Sequence, residues 1–321
     1  MTTSRPLTAV GVVTFTMAAL VWATLTPLLA YTASLACFGL AHVVVELRYV
    51  DARFGRRLPR SLWTSSALLI GGVVVLRALR LGGVVVDHGV ALELALVAAL
   101  LAVGAALAFR HRVVGAVGIV VAGVVGAGVV VAPIETLLTL AVLHNLTPLG
   151  FVVERAPPSS RGRAFVVGAA VFIGVPLLVA SGLPDALLSG HIDVDARFFS
   201  ARPLGEHLGV YLWPSLVDDD RAVSWFSAAA CAQLLHYGAV LLWLPRTLDE
   251  EDRPALPWPS WPALIGALVV VGGGLTIHFA VDFVGARAAY SLPAAVHAWL
   301  ELPLLLVAFS ALSSSSSSSS S

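Results

Sequence analysis

Five of the nine histidines, His42, His144, His236, His278 and His297, fall inside long apolar runs. Three of them have a carboxylate four residues later, giving the pairs His42–Glu46, His278–Asp282 and His297–Glu301. On a helix, four residues is about one turn, so each pair shares a face. Imidazole with carboxylate is the ligand set of iron, zinc, copper and nickel sites. The carboxylate can bind the same ion or hold the second ring N–H of the ligating imidazole. Asn145, beside His144, and Gln233, one turn before His236, add amides suited to the orienting role. The same His–Glu pairs are also the material of proton relays.

These residues can meet only if the apolar runs cross a bilayer together. The chain has 321 residues, of which 58% are hydrophobic and 12% charged, and its mean hydropathy is +0.92. An ordinary soluble domain is about a quarter charged. Apolar runs of about 20 residues recur along the chain, each long enough to cross as a helix. They are continuous, where a barrel would alternate. The expected fold is all-α: a polytopic integral-membrane helical bundle of about ten spans, with nine as the rival count. The spans are 7–26, 28–47, 62–81, 89–109, 113–132, 134–153, 164–181, 223–245, 260–281 and 289–312. Residues 1–312 form one bundle with a long outside connection at about 182–222, and the serines at 313–321 form a disordered tail. The first run lacks a clear small-residue cleavage site and reads as a retained helix.

Formal net charge is zero, which gives a nucleic-acid partner no electrostatic support. Every basic residue is an arginine, and Ala, Val and Gly abound, a usage typical of GC-rich genomes. The expected location is a bacterial cytoplasmic membrane. With the N-terminus in the cytoplasm, thirteen of the nineteen arginines fall inside; Arg77, Arg80, Arg197, Arg202, Arg221 and Arg287 fall outside. The positive-inside rule favours that orientation. Cys37 and Cys231 form neither a disulfide framework nor a metal spacing.

At a rise of about 1.5 Å per residue, Glu301 and His144 lie roughly 15–18 Å below the outer end of their spans, and His236 and His42 roughly 20 Å. His297 lies at about 12 Å, one turn above Glu301. His42, His144, His236 and Glu301 therefore share a depth, and His297 can join them. His278 with Asp282 would form an upper rim, and Glu46 a lower one near the inner surface. A lone membrane histidine more often packs or hydrogen-bonds than ligates; shared depth argues against that for these four, because ionisable groups at depth are functional by default. His88, His111, His191 and His207 fall in loops or at helix ends, and Glu93 and Glu135 near outer helix ends, where polar groups are cheap. The stretch "GAVGIVVAGVVGAG" lets helices approach closely, and "VVVGGGLTIHF" invites a bend before His278. The aromatic segment "ARFFSARPLGEHLGVYLWPSL" in the long connection reads as an interfacial loop, with a lid over an entrance as the functional alternative.

The segment "GLAHVVVE", Gly39–Glu46, resembles a motif of the membrane β-carotene central-cleavage dioxygenases related to the Brp and Blh proteins. That motif runs glycine, proline, histidine, glycine, then aspartate a turn after the histidine. Gly39, His42 and the carboxylate of Glu46 match in kind, while Ala41 replaces the proline and Val43 the second glycine. The resemblance implies a multi-spanning fold with iron held by intramembrane histidines. His42 would then be an iron ligand, with His144 and His236 matching later histidines. The family carries two histidines a turn apart on a late helix, where this chain has His236 and Val240.

Three functions follow. The first is an integral-membrane metal-dependent oxygenase on a lipid-like or isoprenoid substrate that enters from the surrounding membrane lipids. Its metal, iron before zinc or another transition metal, would sit on His42, His144, His236 and His297, with Glu301 and Glu46 as catalytic carboxylates and Gln233, Asn145, His278 and Asp282 around them. The second is a proton-coupled transporter using His/Glu relays. The third is a haem-binding or structural membrane subunit.

Overall fold

The computed structural model describes residues 9–188 and 202–317, and the described residues hold no strand. Among the described residues, nine helices are long and apolar enough to cross a membrane. They are α2 (Pro27–Phe54), α3 (Arg60–Leu81), α4 (Gly89–Ala108), α5 (Arg112–Val131), α6 (Pro133–Arg155), α7 (Pro158–Ala180), α8 (Ala222–Thr247), α9 (Trp261–Val281) and α10 (Phe283–Ser317). A shorter apolar helix, α1 (Ala9–Leu25), precedes them; Thr26 separates it from α2, whose first residue is Pro27. The nine candidate spans match the rival count of the sequence reading; the run expected as the first of ten spans forms the shorter helix α1.

The helices α2, α8 and α10 are central. Tyr31, Tyr49, Phe226, Cys231, His236 and Leu304 on them are almost wholly enclosed. The peripheral α3, α5 and α9 turn Leu68, Val120, Val124, Val270 and Ile277 outward. Such an apolar belt suits lipid and would be costly in water. Small residues set the closest approaches. A Cβ on Gly118 of α5 would lie 2.8 Å from the Ala105 Cβ of α4, and one on Gly104 of α4 would lie 2.7 Å from the Pro303 Cβ of α10. The glycine-rich α5 therefore does pack tightly on its neighbour.

Prolines shape the helices around the centre. Pro148 has no N–H for the His144 carbonyl, so α6 breaks there, and the Thr147 hydroxyl donates to that carbonyl at 2.8 Å instead. Pro176 and Pro245 each follow a wide, π-type turn, at Ala170–Gly174 in α7 and Ala239–Trp243 in α8. The second of these begins three residues beyond His236. Pro293 and Pro303 bracket the turn that carries His297 and Glu301.

Several boundaries differ from the sequence reading. The α2 helix runs to Phe54 rather than 47, because its last turn is fixed by ion pairs. Arg53 reaches Glu154 at 2.7 Å and Asp252 at 3.0 Å, and Arg57 reaches Asp252 at 2.7 Å. Arg155 joins Asp252 at 3.3 Å. This network ties together the arginine-rich ends of α2, α6 and the α8–α9 connection. The Asp252 carboxyl is buried, which alone would raise its pKa. The Asp249 N–H and the Arg53 and Arg155 guanidiniums outweigh that and hold it below the usual carboxylate value. The three glycines of α9 do not break it; the helix is continuous, and Thr276 ties it to α2 by donating to the Ala36 carbonyl at 2.7 Å. The α10 helix carries on through the first serines of the tail to Ser317, since adding a residue to a formed helix is far easier than starting one. Residues 318–321 lie outside the described residues, as do His191 and Arg197 of the long connection.

Candidate metal centre

Four imidazoles from four helices meet in the core. His42 of α2, His144 at the break of α6, His236 of α8 and His297 of α10 each offer a ring nitrogen, and these nitrogens all lie within 4.8 Å of one another. The Nε2 atoms of His42 and His297 are 3.1 Å apart. The rings stand nearly edge to face, at 81° for His42 and His297 and 78° for His144 and His297. All four side chains are buried. With ligand bonds near 2 Å, donors on one ion sit about 3–4 Å apart, so the spacing suits a single shared cation.

The carboxylates complete the group. Glu46, His297 and Glu301 also bring ligand atoms within 4.8 Å of one another, so His297 belongs to both sets. His144 Nδ1 lies 3.0 Å from Glu301 Oε2, and His236 Nε2 lies 3.3 Å from Glu46 Oε2, neither aligned as a hydrogen bond. Both carboxylate oxygens of Glu46 and of Glu301, both ring nitrogens of His236, and Nδ1 of His42, His144 and His297 are buried with no hydrogen-bond partner among the described residues. Each such atom costs about 1–3 kcal/mol, and a whole domain is stable by only about 5–15 kcal/mol. A buried cation would convert these costs into ligand bonds, so the donor set fits one. The group can hold a metal ion.

Neighbouring side chains fix the rings. Tyr237, next to His236 on α8, stacks on His42 with ring centres 3.9 Å apart. Gly39, one turn before His42, leaves room for the Tyr290 ring of α10, to which a Cβ would come within 3.2 Å. Val240, where the late-helix pattern would place a second histidine, is wholly buried among apolar side chains, and the fourth imidazole comes from α10 instead.

Several expected neighbours lie elsewhere. Glu46 is not a rim residue near a surface; because α2 continues two turns past it, Glu46 is fully buried against His236. His278 is exposed on α9 and belongs to neither donor group. Asp282 is exposed, and its Oδ1 accepts from the Gly285 N–H at 2.9 Å, capping α10. Asn145 spends its amide on the Ala141 and Val142 carbonyls, both at 3.2 Å, at the α6 break. Gln233 donates to Ser34 Oγ at 2.7 Å and accepts from the Tyr211 hydroxyl, so it ties the long connection to α2 rather than orienting His236.

A cavity of about 970 Å³ opens beside the centre, lined at one end by His42, His144 and His297. It extends toward the end opposite the arginine-rich network, where Arg77, Arg80, Glu93 and Arg287 line it. Glu93 is fully buried rather than a boundary residue: it accepts from Arg77 and, at 2.9 Å, from Arg80. Two arginines and a glutamate at one level of adjacent spans were the sequence signal for it. The described part of the long connection covers this end. Tyr211 lines the cavity, and His207 is buried against Phe283 and Tyr31. Burial, with the Arg287 cation adding to it, pushes the His207 pKa down, and burial pushes the Tyr211 phenol up.

Comparison with protein families, characterised proteins and solved structures finds no match to this chain.

Proposed function

We propose that the chain is an integral-membrane, metal-dependent oxygenase that acts on a lipid-like substrate, with iron as its metal. The observation that carries this reading is the convergence of His42, His144, His236 and His297 with Glu46 and Glu301 at one buried point beside a cavity. Nitrogen and carboxylate donors without sulfur suit iron, and the resemblance around Gly39–Glu46 points the same way. When bound, the iron would supply redox activation of dioxygen. The protein's part is separate: the four histidines hold the ion, Glu301 and Glu46 orient His144 and His236 or accept a proton there, and Tyr237 keeps the His42 ring from turning. The four rings are buried, and the cavity would bring an extended chain to the histidines. The arginine-rich end would face the cytoplasm.

The test is metal content and oxygen uptake of the purified protein. Near-stoichiometric iron, lost in both His42→Ala and His236→Ala, supports the reading. A wild type that consumes no oxygen with any lipid extract while retaining iron would remove the oxygenase assignment.

The 3.1 Å contact of His42 with His297, flanked by two His–Glu pairs, also suits proton transfer, and favours a proton-coupled transporter as the second reading. Proton-coupled flux in liposomes that survives removal of all metal would favour it. Haem is disfavoured, because the remaining rings and carboxylates crowd the plane a porphyrin must occupy between two axial imidazoles.

A further inference from the structure

We propose that the cavity takes an amphiphile by an anionic head, held at its mouth by Arg287, with the tail extending down to the histidines. This rests on the metal-centre reading only for what the tail meets.

Among the described residues, charge at the mouth is unbalanced. Glu93 is shared by Arg77 and Arg80, which leaves one positive charge in excess. Arg287 lines the same space, is half-buried, and has no carboxylate within ion-pair distance among the described residues; its contact is the Tyr31 hydroxyl at 3.4 Å. Glu206, also at the mouth, is taken by Arg202 at 2.8 Å. Cations in a partly desolvated wall are costly without a counter-charge, and they focus a field that draws anions. These three arginines are also half of the six that run against the positive-inside trend. An anion at the mouth gives them a reason to be there.

Below the mouth the walls turn apolar, with Leu137, Leu138, Ala141, Ala294 and Ala298. The volume of about 970 Å³ is at the upper end for a single bound small molecule. Arg77 donates to the Ser291 carbonyl at 2.7 Å, which places it six residues above His297 on α10, and Arg287 is ten above. These offsets are about 9 and 15 Å along the axis. An extended chain advances roughly 1.3 Å per bond, as the 3.8 Å span of three backbone bonds implies. The reacting position would therefore lie roughly 7–12 bonds from the head.

The probes are a fluorescent long-chain fatty acid, the alkyl phosphate of equal length and the matching neutral alcohol, titrated into full-length protein in non-ionic detergent. At least one of the two anions should bind about 10-fold or more tighter than the alcohol, the usual worth of a hydrogen-bonded charge. A preference for the carboxylate alone points to free fatty acids, and one for the phosphate alone to phospholipid-type heads. Arg287→Gln should erase the preference while leaving alcohol binding and metal content unchanged. Equal affinity for anions and alcohol in wild type would overturn the proposal, as would a preference that persists in both Arg287→Gln and Arg287→Glu. If Arg287→Gln fails to fold, the wild-type comparison decides alone. Wild-type protein that binds no metal after preparation in metal-replete medium, yet still prefers the anion, would keep this inference and sink the metal centre; metal-loaded protein without the preference would do the opposite.

Discussion

His144 and Glu301 come from helices far apart in sequence, yet their side chains sit 3.0 Å apart in the core. If the carboxylate holds that imidazole for an ion, Glu301→Gln should weaken metal affinity about 10–100-fold without abolishing binding. His144→Ala should cost more, since it removes a ligand; competitive chelator titration measures both, and an unchanged affinity in Glu301→Gln would remove its orienting role. The meeting of these residues was legible in the sequence because depth along a helix follows from residue count alone. Which way a side chain turns does not. His278 sits a turn before Asp282 just as His42 sits before Glu46, but one pair is exposed and the other lies in the core. Gln233 and Asn145 likewise stand beside histidines in sequence and spend their amides elsewhere.

At the scale of helices, the α4–α10 contact holds Glu301 in place. Pro303 lies two residues beyond Glu301 and packs directly on Gly104. In Gly104→Val the new side chain would meet Pro303 backbone at 2.9 Å already from its Cβ, forcing the helices apart at a cost of about 1–3 kcal/mol. The expected result is a lower thermal midpoint together with reduced metal content; a variant that melts normally and keeps its metal would show the contact to be loose. The arginine-rich end offers a second test. The Asp252 pKa is depressed in the folded protein, so the stability it contributes is present above the ordinary carboxylate value of 3.8 and is lost as pH falls through the folded value. Asp252→Asn should therefore be less stable than wild type near neutral pH, with the difference closing below pH 3.8. A gap that is constant with pH would mean that the ion pairs with Arg53, Arg57 and Arg155 contribute nothing. The span count followed from apolar length, but the extension of α2 to Phe54 did not, because it depends on partners on other helices. The wide turns before Pro176 and Pro245, and the break at Pro148, follow local proline chemistry that was on view in the sequence.

For the molecule as a whole, the arginine distribution and the cavity make one consistent arrangement: ion-paired arginines at one end, a cavity mouth at the other, and the histidines between. If the arginine-rich end faces the cytoplasm, Asp87→Cys in the α3–α4 turn should react with an impermeant maleimide on intact cells, in a background of Cys37→Ser and Cys231→Ala. Ser260→Cys, at the start of α9, should be protected until the cells are opened. Both sites are exposed, so the reverse pattern would invert the orientation. The most direct test of the central claim is X-ray absorption at the metal edge of the purified wild-type protein. An ion held by these side chains should show a shell of nitrogen and oxygen at about 2.0–2.2 Å with outer-shell scattering from about four imidazoles and no sulfur. A protein prepared in metal-replete medium that shows no bound metal, or a shell without imidazole scattering, would contradict it.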